Sequence, residues 1–538
     1  MTDFDVVSFI DSYSPTVALA FSGGGYRAML SGAGAVKAMD IRTPGTSGPK
    51  QVGGLLQSAT YLAGLSGGSW LLESVIVNNF TTIGGIQASK NLWDLEHNIL
   101  VPDSLSYYSD IRSEVKSKEE AGFDITLTDY WARALSRQFL NWTDGGPGVT
   151  FSSVALTDEY KNADIPFPII VADERRPGQK IISKNATVFE FNPLEFGSFD
   201  PTVFAFTPLE YLGTNMTKGV PVEGDVCIRG FDNAGYVMGT SSSLFNQILL
   251  NLNSSGLQGV SLELAQSVLT GLSTADYDIA DYAPNPFFGI NPNSNPSSNT
   301  RNLTLVDGGE DLQNIPLHPL IQPSRKVDVI FAFDNSADTL NHDGSTSNWP
   351  NGTAMVATYE RALDSEISNG TLFPHIPDVN TFVNLGLNRR PTFFGCDGAN
   401  ITASHPGSAI PPLVVYMPNS PWTYKSNIST FTMSYSHAER DNMIQNGFNI
   451  ASQGNGTQTD NWPACIGCAI VHRQQERTGA TQSAQCKQCF AEYCWNGTLK
   501  SEVPPQYDPK PYIQSGAAKY LARGYLSVFV AVIVAALL

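Results

Sequence analysis

Residues 61–70 read Tyr61-Leu62-Ala63-Gly64-Leu65-Ser66-Gly67-Gly68-Ser69-Trp70, and their reading decides the fold. Gly64, Ser66 and Gly68 form G-x-S-x-G. A serine in that pattern stands on a sharp turn between a strand and a helix, a nucleophile elbow, where glycines spare a strained backbone from clashing side chains. Ala59–Leu65 is apolar enough to be the strand. The helix then starts near Gly67 and runs through Trp70, Leu71 and Leu72. Ordinary tight turns also produce this string, so the rest of the chain decides between the two readings.

Upstream, residues 15–21 form a short apolar run that predicts a buried strand. It enters Ser22-Gly23-Gly24-Gly25-Tyr26-Arg27-Ala28, followed by a helix of small residues through about Met39. The stretch matches the dinucleotide fingerprint G-x-G-x-x-A, but the acid that should close a second strand about 20 residues on is missing. Asp40 comes too early and is followed by Arg42 and a Pro/Gly loop. The same loop suits another anion. The amides of Gly24 and Gly25 offer an oxyanion hole, and Arg27, one turn later, offers a phosphate contact.

Downstream, Leu303–Val306 predicts a strand ending in Asp307-Gly308-Gly309. Open α/β sheets put active-site groups at strand ends, although Asp-Gly-Gly is equally a turn signal. Residues 165–172, 327–333 and 413–417 read as further strands, and 90–140 as amphipathic helix. Residues 188–212 alternate aromatic and polar residues, the period of strands, and those aromatics serve either the core or an acyl-chain tunnel. Gly239–Asn246 is read as opening a helix that continues through Ile248, Leu249 and Leu250, and 284–300 as a loop. Strands alternating with helices predict an α/β architecture around a mixed sheet.

A chain of 538 residues, 42% hydrophobic, has ample material for one large domain with insertions or for two domains. Its 32 basic residues against 50 acidic ones argue against nucleic acid as a partner. Twelve N-x-S/T sequons favour passage through a secretory pathway: Asn79, Asn141, Asn185, Asn215, Asn253, Asn302, Asn351, Asn369, Asn400, Asn427, Asn455 and Asn496. Asn302 is set aside from the candidate glycosylation sites because it falls in an expected buried strand. Residues 525–538 are apolar and uncharged, shorter than the roughly 20 residues a spanning helix needs. With Ser515 or Gly516 as the attachment site, residues 515–538 read as a GPI-anchor signal, the alternative being a short tilted membrane helix from Tyr520. Residues 1–14 lack the features of a signal peptide and are expected to be the remnant of a truncated N-terminal segment.

Seven cysteines are present, the last five spaced C-x2-C-x17-C-x2-C-x4-C from Cys465 to Cys494. In a reducing compartment the first four would read as zinc, whereas in the secretory pathway disulfides are the default. The odd count leaves one cysteine over, and a partner on the missing N-terminal segment is expected. Residues 15–460 are assigned to the catalytic domain and 461–514 to a cysteine-rich extension of it.

Three motifs in order, SGGGYRAM at 22–29, GLSGGSW at 64–70 and LVDGGEDLQNIPLHPL at 305–320, resemble the fungal phospholipase B (lysophospholipase) family. That family shares its catalytic core with the cytosolic phospholipase A2 group and, more distantly, with patatin. Further similar stretches are LTDYWARAL at 127–135, residues 188–214 and 239–246. The resemblance implies a three-layer α/β sandwich with a central mixed sheet. It implies Ser66 as nucleophile, Asp307 as its partner in a Ser-Asp dyad, Gly24 and Gly25 as oxyanion donors and Arg27 on the lipid phosphate. It also implies no metal or cofactor, phospholipid and lysophospholipid substrates at a membrane or micelle surface, and possible acyl transfer to a second lysolipid. The protein is then expected on the outer side of the plasma membrane, in the cell wall or secreted, as a monomer or homo-oligomer. The rival mechanism is a triad completed by His318, His405 or His437, following the hydrolase order Ser, Asp, His. A different class of reading is an inactive cell-wall glycoprotein, whose mark would be loss of Ser66, Asp307 or Arg27, and all three are present.

Overall fold

The computed structural model describes residue 9 and residues 12–99, 105–244, 278–341 and 343–513. Eleven strands form the main sheet. In chain order they are β1 (Val17–Phe21), β2 (Tyr61–Gly64), β3 (Phe167–Glu174), β4 (Val188–Phe191), β5 (Glu195–Ser198), β6 (Ala205–Pro208), β7 (Ala280–Tyr282), β8 (Leu303–Asp307), β9 (Val329–Asp334), β10 (Thr392–Phe394) and β11 (Leu413–Pro418). The principal helices are α1 (Gly25–Met39), α2 (Gly67–Ile76), α3 (Leu105–Glu120), α4 (Leu127–Phe139), α5 (Ala234–Thr240), α6 (Thr353–Leu363), α7 (His437–Ser452), α8 (Trp462–Thr478) and α9 (Ala484–Tyr493).

The strand order is β10-β11-β9-β1-β2-β3-β4-β5-β6, with β8 paired to β3 and to β7. The strands from β11 to β3 run parallel, and β10, β4, β5, β6 and β8 are antiparallel to their neighbours, so the sheet is mixed. The parallel centre is buried on both faces, as continuous apolar runs require. On β1, Val17, Leu19 and Phe21 join one core and Ala18 and Ala20 the other. The period of two repeats on β9 and β11, where Phe331 and Val415 face the first core and Ile330 and Val414 the second. Helices α1, α2, α4, α7, α8 and α9 line the first face, and α6 with the short helix Val379–Asn384 lines the second. That is the three-layer arrangement expected.

Small residues let α1 sit deep. A side-chain carbon at Gly34 would fall 2.0 Å from the Ile444 carbonyl, and one at Gly447 1.9 Å from the Ser31 carbonyl, so α1 and α7 cross at glycine-lined backbones. The strand before the elbow is shorter than the sequence predicts, Tyr61–Gly64 rather than 59–65. The aromatics of 188–212 divide: Phe204 is exposed, and Phe199, Phe206 and Tyr211 are half-buried, with Phe206 and Tyr211 lining a cavity together with Met216, Phe287 and Ile290. Phe189, Phe191 and Phe196 form the core part, fully buried and packed ring against ring with one another and with Tyr282 and Phe287.

The cysteine pattern resolves into Cys396–Cys494, Cys465–Cys489 and Cys468–Cys486, with Cys227 exposed and unpaired. Each C-x2-C pair is one helical turn apart, so the pair on α8 faces the pair on α9 and two bridges clamp one helical hairpin. Among the described residues no cluster of His, Cys, Asp or Glu could hold a metal ion. Among them, too, no helix is long and apolar enough to cross a membrane, and the 515–538 segment lies outside them.

Two expectations are corrected. Asn302 stands just before β8, exposed, with its amide donating to Asp281 Oδ2 at 2.8 Å, so the strand does not bury it. Gly239 and Thr240 close α5 instead of opening a helix, and the continuation placed at 248–250 lies outside the described residues. Of the other sequons, Asn79, Asn141, Asn185, Asn369, Asn400, Asn455 and Asn496 are exposed, and Asn215, Asn351 and Asn427 are half-buried. Asn253 lies outside the described residues.

Candidate active site

The register of the sheet brings Ser66 and Asp307 together. On the side of β3 away from β4, β2 runs up until Gly64 pairs with Ile170. On that same edge β8 comes down antiparallel until Asp307 pairs with Ala172. The two strands therefore meet head to head across Val171, and the chain leaving each turns out at the same level. Ser66 is the first residue past the seam on one side and Asp307 the last before it on the other.

The elbow has the geometry the glycines predicted. Ser66 takes φ 51° and ψ −124°, a strained conformation for a residue with a side chain. Helix α2 starts at once, and the Leu65 and Ser66 carbonyls take the amides of Gly68, Ser69 and Trp70, which locks the turn. Gly67 is obligatory because a side-chain carbon there would lie 2.1 Å from the Gly25 carbonyl. That contact also seats the glycine loop against the elbow. Gly24 at φ 137° and Gly25 at φ 60° keep the loop open, and neither amide donates to a protein acceptor among the described residues. Amides in this state are available to an oxyanion.

Asp307 is buried, and burial pushes its carboxyl up to about 7, with Asp311 adding to the rise. The Ser66 hydroxyl and the Gly309 amide work in the opposite direction. Oδ1 accepts the Gly309 amide at 2.8 Å. Oδ2 is buried without a well-formed hydrogen bond, so the Ser66 hydroxyl approaches the carboxyl without completing one. The result is a carboxylate basic enough to take a proton near neutral pH.

Arg27 is fully buried, and burial lowers its guanidinium to about 10, still charged at neutral pH. Nε donates to the Asn335 carbonyl at 2.9 Å and Nη1 to the Ile428 carbonyl at 2.7 Å. Asp334 and Asp338 surround it. Burial, then the Asp334 charge, raises the Asp338 carboxyl to about 8.

The three histidines of the rival triad lie elsewhere. His318 is buried and held well below its ordinary pKa, first by burial and then by Arg361 and Arg325. His405 is exposed beside Ser404 and the Ile401 carbonyl, and His437 is exposed and paired with Glu96 at 3.1 Å. None of these contacts involves Ser66 or Asp307.

Residues 17–500 match the lysophospholipase catalytic domain family. The chain belongs to that family. It is 52% identical to lysophospholipase 1 of Aspergillus fumigatus over 96% of this chain and 82% of that protein. It is 50% identical to a lysophospholipase of Penicillium chrysogenum over 95% and 84%, and 51% identical to lysophospholipase 1 of Saccharomyces cerevisiae over 91% and 74%. In fold it resembles human GIVD cytosolic phospholipase A2, with a TM-score of 0.62 at 17% identity, over 87% of this chain and 64% of that one. This member of the lysophospholipase family is a hydrolase, and Ser66, Asp307, Gly24, Gly25 and Arg27 all fall inside the matched span.

Sequence reasoning missed two groups of residues at this site. Asn314 bridges the glycine loop to the strand end: its carbonyl accepts the Gly23 amide at 3.1 Å and its side chain donates to Ser336 at 2.7 Å. Ser241–Ser243 lies against the seam. The signal for Asn314 was its place in the 305–320 motif; the serines stood in a stretch read as a helix start.

Proposed function

We propose that this chain hydrolyses acyl esters of lysophospholipids and phospholipids through an acyl-Ser66 intermediate. The observation that carries this reading is the meeting of Ser66 and Asp307 across the β2–β8 seam, with no histidine of the rival triad in contact with either. Asp307 takes the proton from the Ser66 hydroxyl as its oxygen attacks the ester carbonyl. The Gly24 and Gly25 amides hold the tetrahedral oxyanion, a contribution of about 3–4 kcal/mol per donor in comparable sites. The intermediate collapses, the C–O bond to the glycerol breaks, and Asp307 returns the proton to the departing alkoxide. Water then attacks the acyl-serine with Asp307 again as base, and a second lysolipid in place of water makes the enzyme a transacylase.

Arg27 supplies the positive charge for the lipid phosphate, which requires the Ile428 carbonyl to release it. The protein works outside the cell, where disulfides persist, carrying sugar on its exposed sequons and anchored through Ser515 or Gly516. Fatty-acid release from lysophosphatidylcholine, phosphatidylcholine and triacylglycerol tests the proposal. Ser66→Ala is expected to lose at least about a thousandfold in kcat on all three. Arg27→Ala is expected to lose more on the two phosphate-bearing lipids than on the neutral one. Full turnover in Ser66→Ala would overturn the mechanism, and equal losses on all three would overturn the role of Arg27.

A further inference from the structure

The head-to-head meeting of β2 and β8 leaves Val171 opposite no strand partner on that edge of β3. A buried polar group cannot stay unpaired without cost, so something must close the seam. The Ser241 hydroxyl does so, donating to the Val171 carbonyl at 2.6 Å. The Ser66 amide in turn donates to both the Ser241 carbonyl, at 2.9 Å, and its hydroxyl oxygen, at 3.0 Å. Two residues on, the Ser243 carbonyl accepts the Asp307 amide at 3.3 Å. One three-residue turn thus holds the backbone of nucleophile and base together.

The turn is itself fixed from behind. The Ser243 hydroxyl meets Thr128 Oγ1 at 2.8 Å and donates to the Gly239 carbonyl at 2.8 Å. Ser242 Oγ accepts Trp131 Nε1 at 3.1 Å and donates to the Met238 carbonyl at 2.8 Å. Thr128 and Trp131 lie on α4, whose start is set by the Thr126 amide donating to Asp129 Oδ2 at 2.8 Å. All three serines and Thr128 are buried. A tightly packed turn could be made from apolar residues; four buried hydroxyls, which between them tie the turn to β3, α4 and α5, specify position instead.

We propose that Ser241–Ser243, braced by Thr128 and Trp131, is a positioning clamp that sets the distance between Ser66 and Asp307. It touches neither substrate nor the reacting atoms. Its function follows from the sensitivity of proton transfer and attack to geometry, where a displacement of about 1 Å costs on the order of a hundredfold. This inference rests on the Ser66–Asp307 reading.

The test uses the full-length protein with a fluorophosphonate that labels the nucleophile, so that kcat on lysophosphatidylcholine is expressed per labelled site. Ser241→Ala removes the plug at Val171 and one of the two acceptors of the Ser66 amide. Thr128→Val keeps the shape and deletes the hydroxyl that braces Ser243. Per-site kcat is expected to fall about 10- to 100-fold in Ser241→Ala and about 5- to 10-fold in Thr128→Val, with KM within about twofold of wild type. Thr128→Ser, which restores the hydroxyl, is expected to recover at least half of the wild-type rate. A merely structural role would lower the melting temperature and the number of labelled sites while leaving per-site kcat alone. Per-site kcat within twofold of wild type in Thr128→Val, or no recovery in Thr128→Ser, would overturn the clamp, and Thr128→Val decides the matter if Ser241→Ala does not fold. A wild-type enzyme that labels but releases no fatty acid would instead overturn the phospholipase reading itself.

Discussion

The seam between β2 and β8 and the helical hairpin α8–α9 handle their buried charged side chains in opposite ways. At the seam Ser66 sits at positive φ, and among the described residues Asp307 Oδ2 has no bonded partner and the Gly24 and Gly25 amides have no protein acceptor. At the hairpin Arg473 is just as deeply buried, yet Nε, Nη1 and Nη2 all find acceptors, on Pro411, Glu476 and Gly395. Two disulfides close the hairpin and a third ties it to β10. The contrast teaches that this fold tolerates a destabilising centre because covalent links, placed away from the chemistry, restrict the unfolded chain. Substitutions on each side should then separate cleanly: activity lost without loss of stability at the seam, stability lost without loss of activity at the hairpin.

The largest effect is expected at Asp307. Asp307→Asn removes the base and should lower kcat by about a thousandfold or more. It should also stabilise the fold, and the sign can be worked out. Burial raises the carboxyl from 3.8 to about 7, so the folded state binds this proton more tightly than the unfolded state does. The stabilisation this provides is complete below the unfolded pKa, and is lost as pH rises through the folded value. Above it the ionised carboxylate disfavours folding by an amount on the order of 2–4 kcal/mol. Asparagine does not ionise. Urea unfolding should show wild type and Asp307→Asn nearly equal at acid pH and the variant ahead above neutrality, while wild-type activity climbs through the same range. Equal stabilities at both ends would mean that Asp307 is not the strained group.

How much of this was legible in the sequence follows from what each residue answers to. The elbow and the glycine loop respond to local backbone demands, because Gly67 lies 2.1 Å from the Gly25 carbonyl once a side chain is imagined there, and such demands leave glycines in fixed places. Asp307 was legible as a strand end. The seam was not, because it depends on two pairings, Gly64 with Ile170 and Asp307 with Ala172, between segments far apart in the chain. Ser241–Ser243 was misread for a chemical reason: serines after a glycine carry the same donors and acceptors as a helix N-cap, and only tertiary partners reveal that they bond to Val171 and Thr128. The cysteines show the converse. Their spacing fitted zinc and disulfides equally, and the choice for disulfides came from sequons elsewhere in the chain.

On the hairpin side the bridge with the longest reach should matter most. Cys396–Cys494 closes 98 residues and holds edge strand β10, where the Trp495 amide donates to the Phe393 carbonyl at 3.0 Å. Chain entropy for a loop of that size is worth about 4–5 kcal/mol when nothing else shortens it. Replacing both cysteines by serine should lower unfolding free energy by about 3–4 kcal/mol in urea, a little less because the hairpin bridges already shorten the loop. The kcat per labelled site should stay unchanged. A comparable fall in per-site kcat would break the contrast between the two regions, since it would mean that the β10 edge transmits to the seam.

The smallest effect is expected from the nested pair, and it tests how the staples work. Cys468–Cys486, with a sequence separation of 18, lies wholly within Cys465–Cys489, with a separation of 24. Either bridge alone in an open chain would be worth about 3 kcal/mol by chain entropy. With the other present, most of that restriction is already in place, and only two short arms at the base of the hairpin remain to be fixed. Removing one bridge, as Cys468→Ala with Cys486→Ala or as Cys465→Ala with Cys489→Ala, should therefore lower stability by only about 1 kcal/mol. Removing both should lower it by about 3 kcal/mol, more than the two single losses added together. Strictly additive losses would show that each bridge acts through its own packing in the folded state, and the hairpin would then stabilise by contact and not by restricting the unfolded chain.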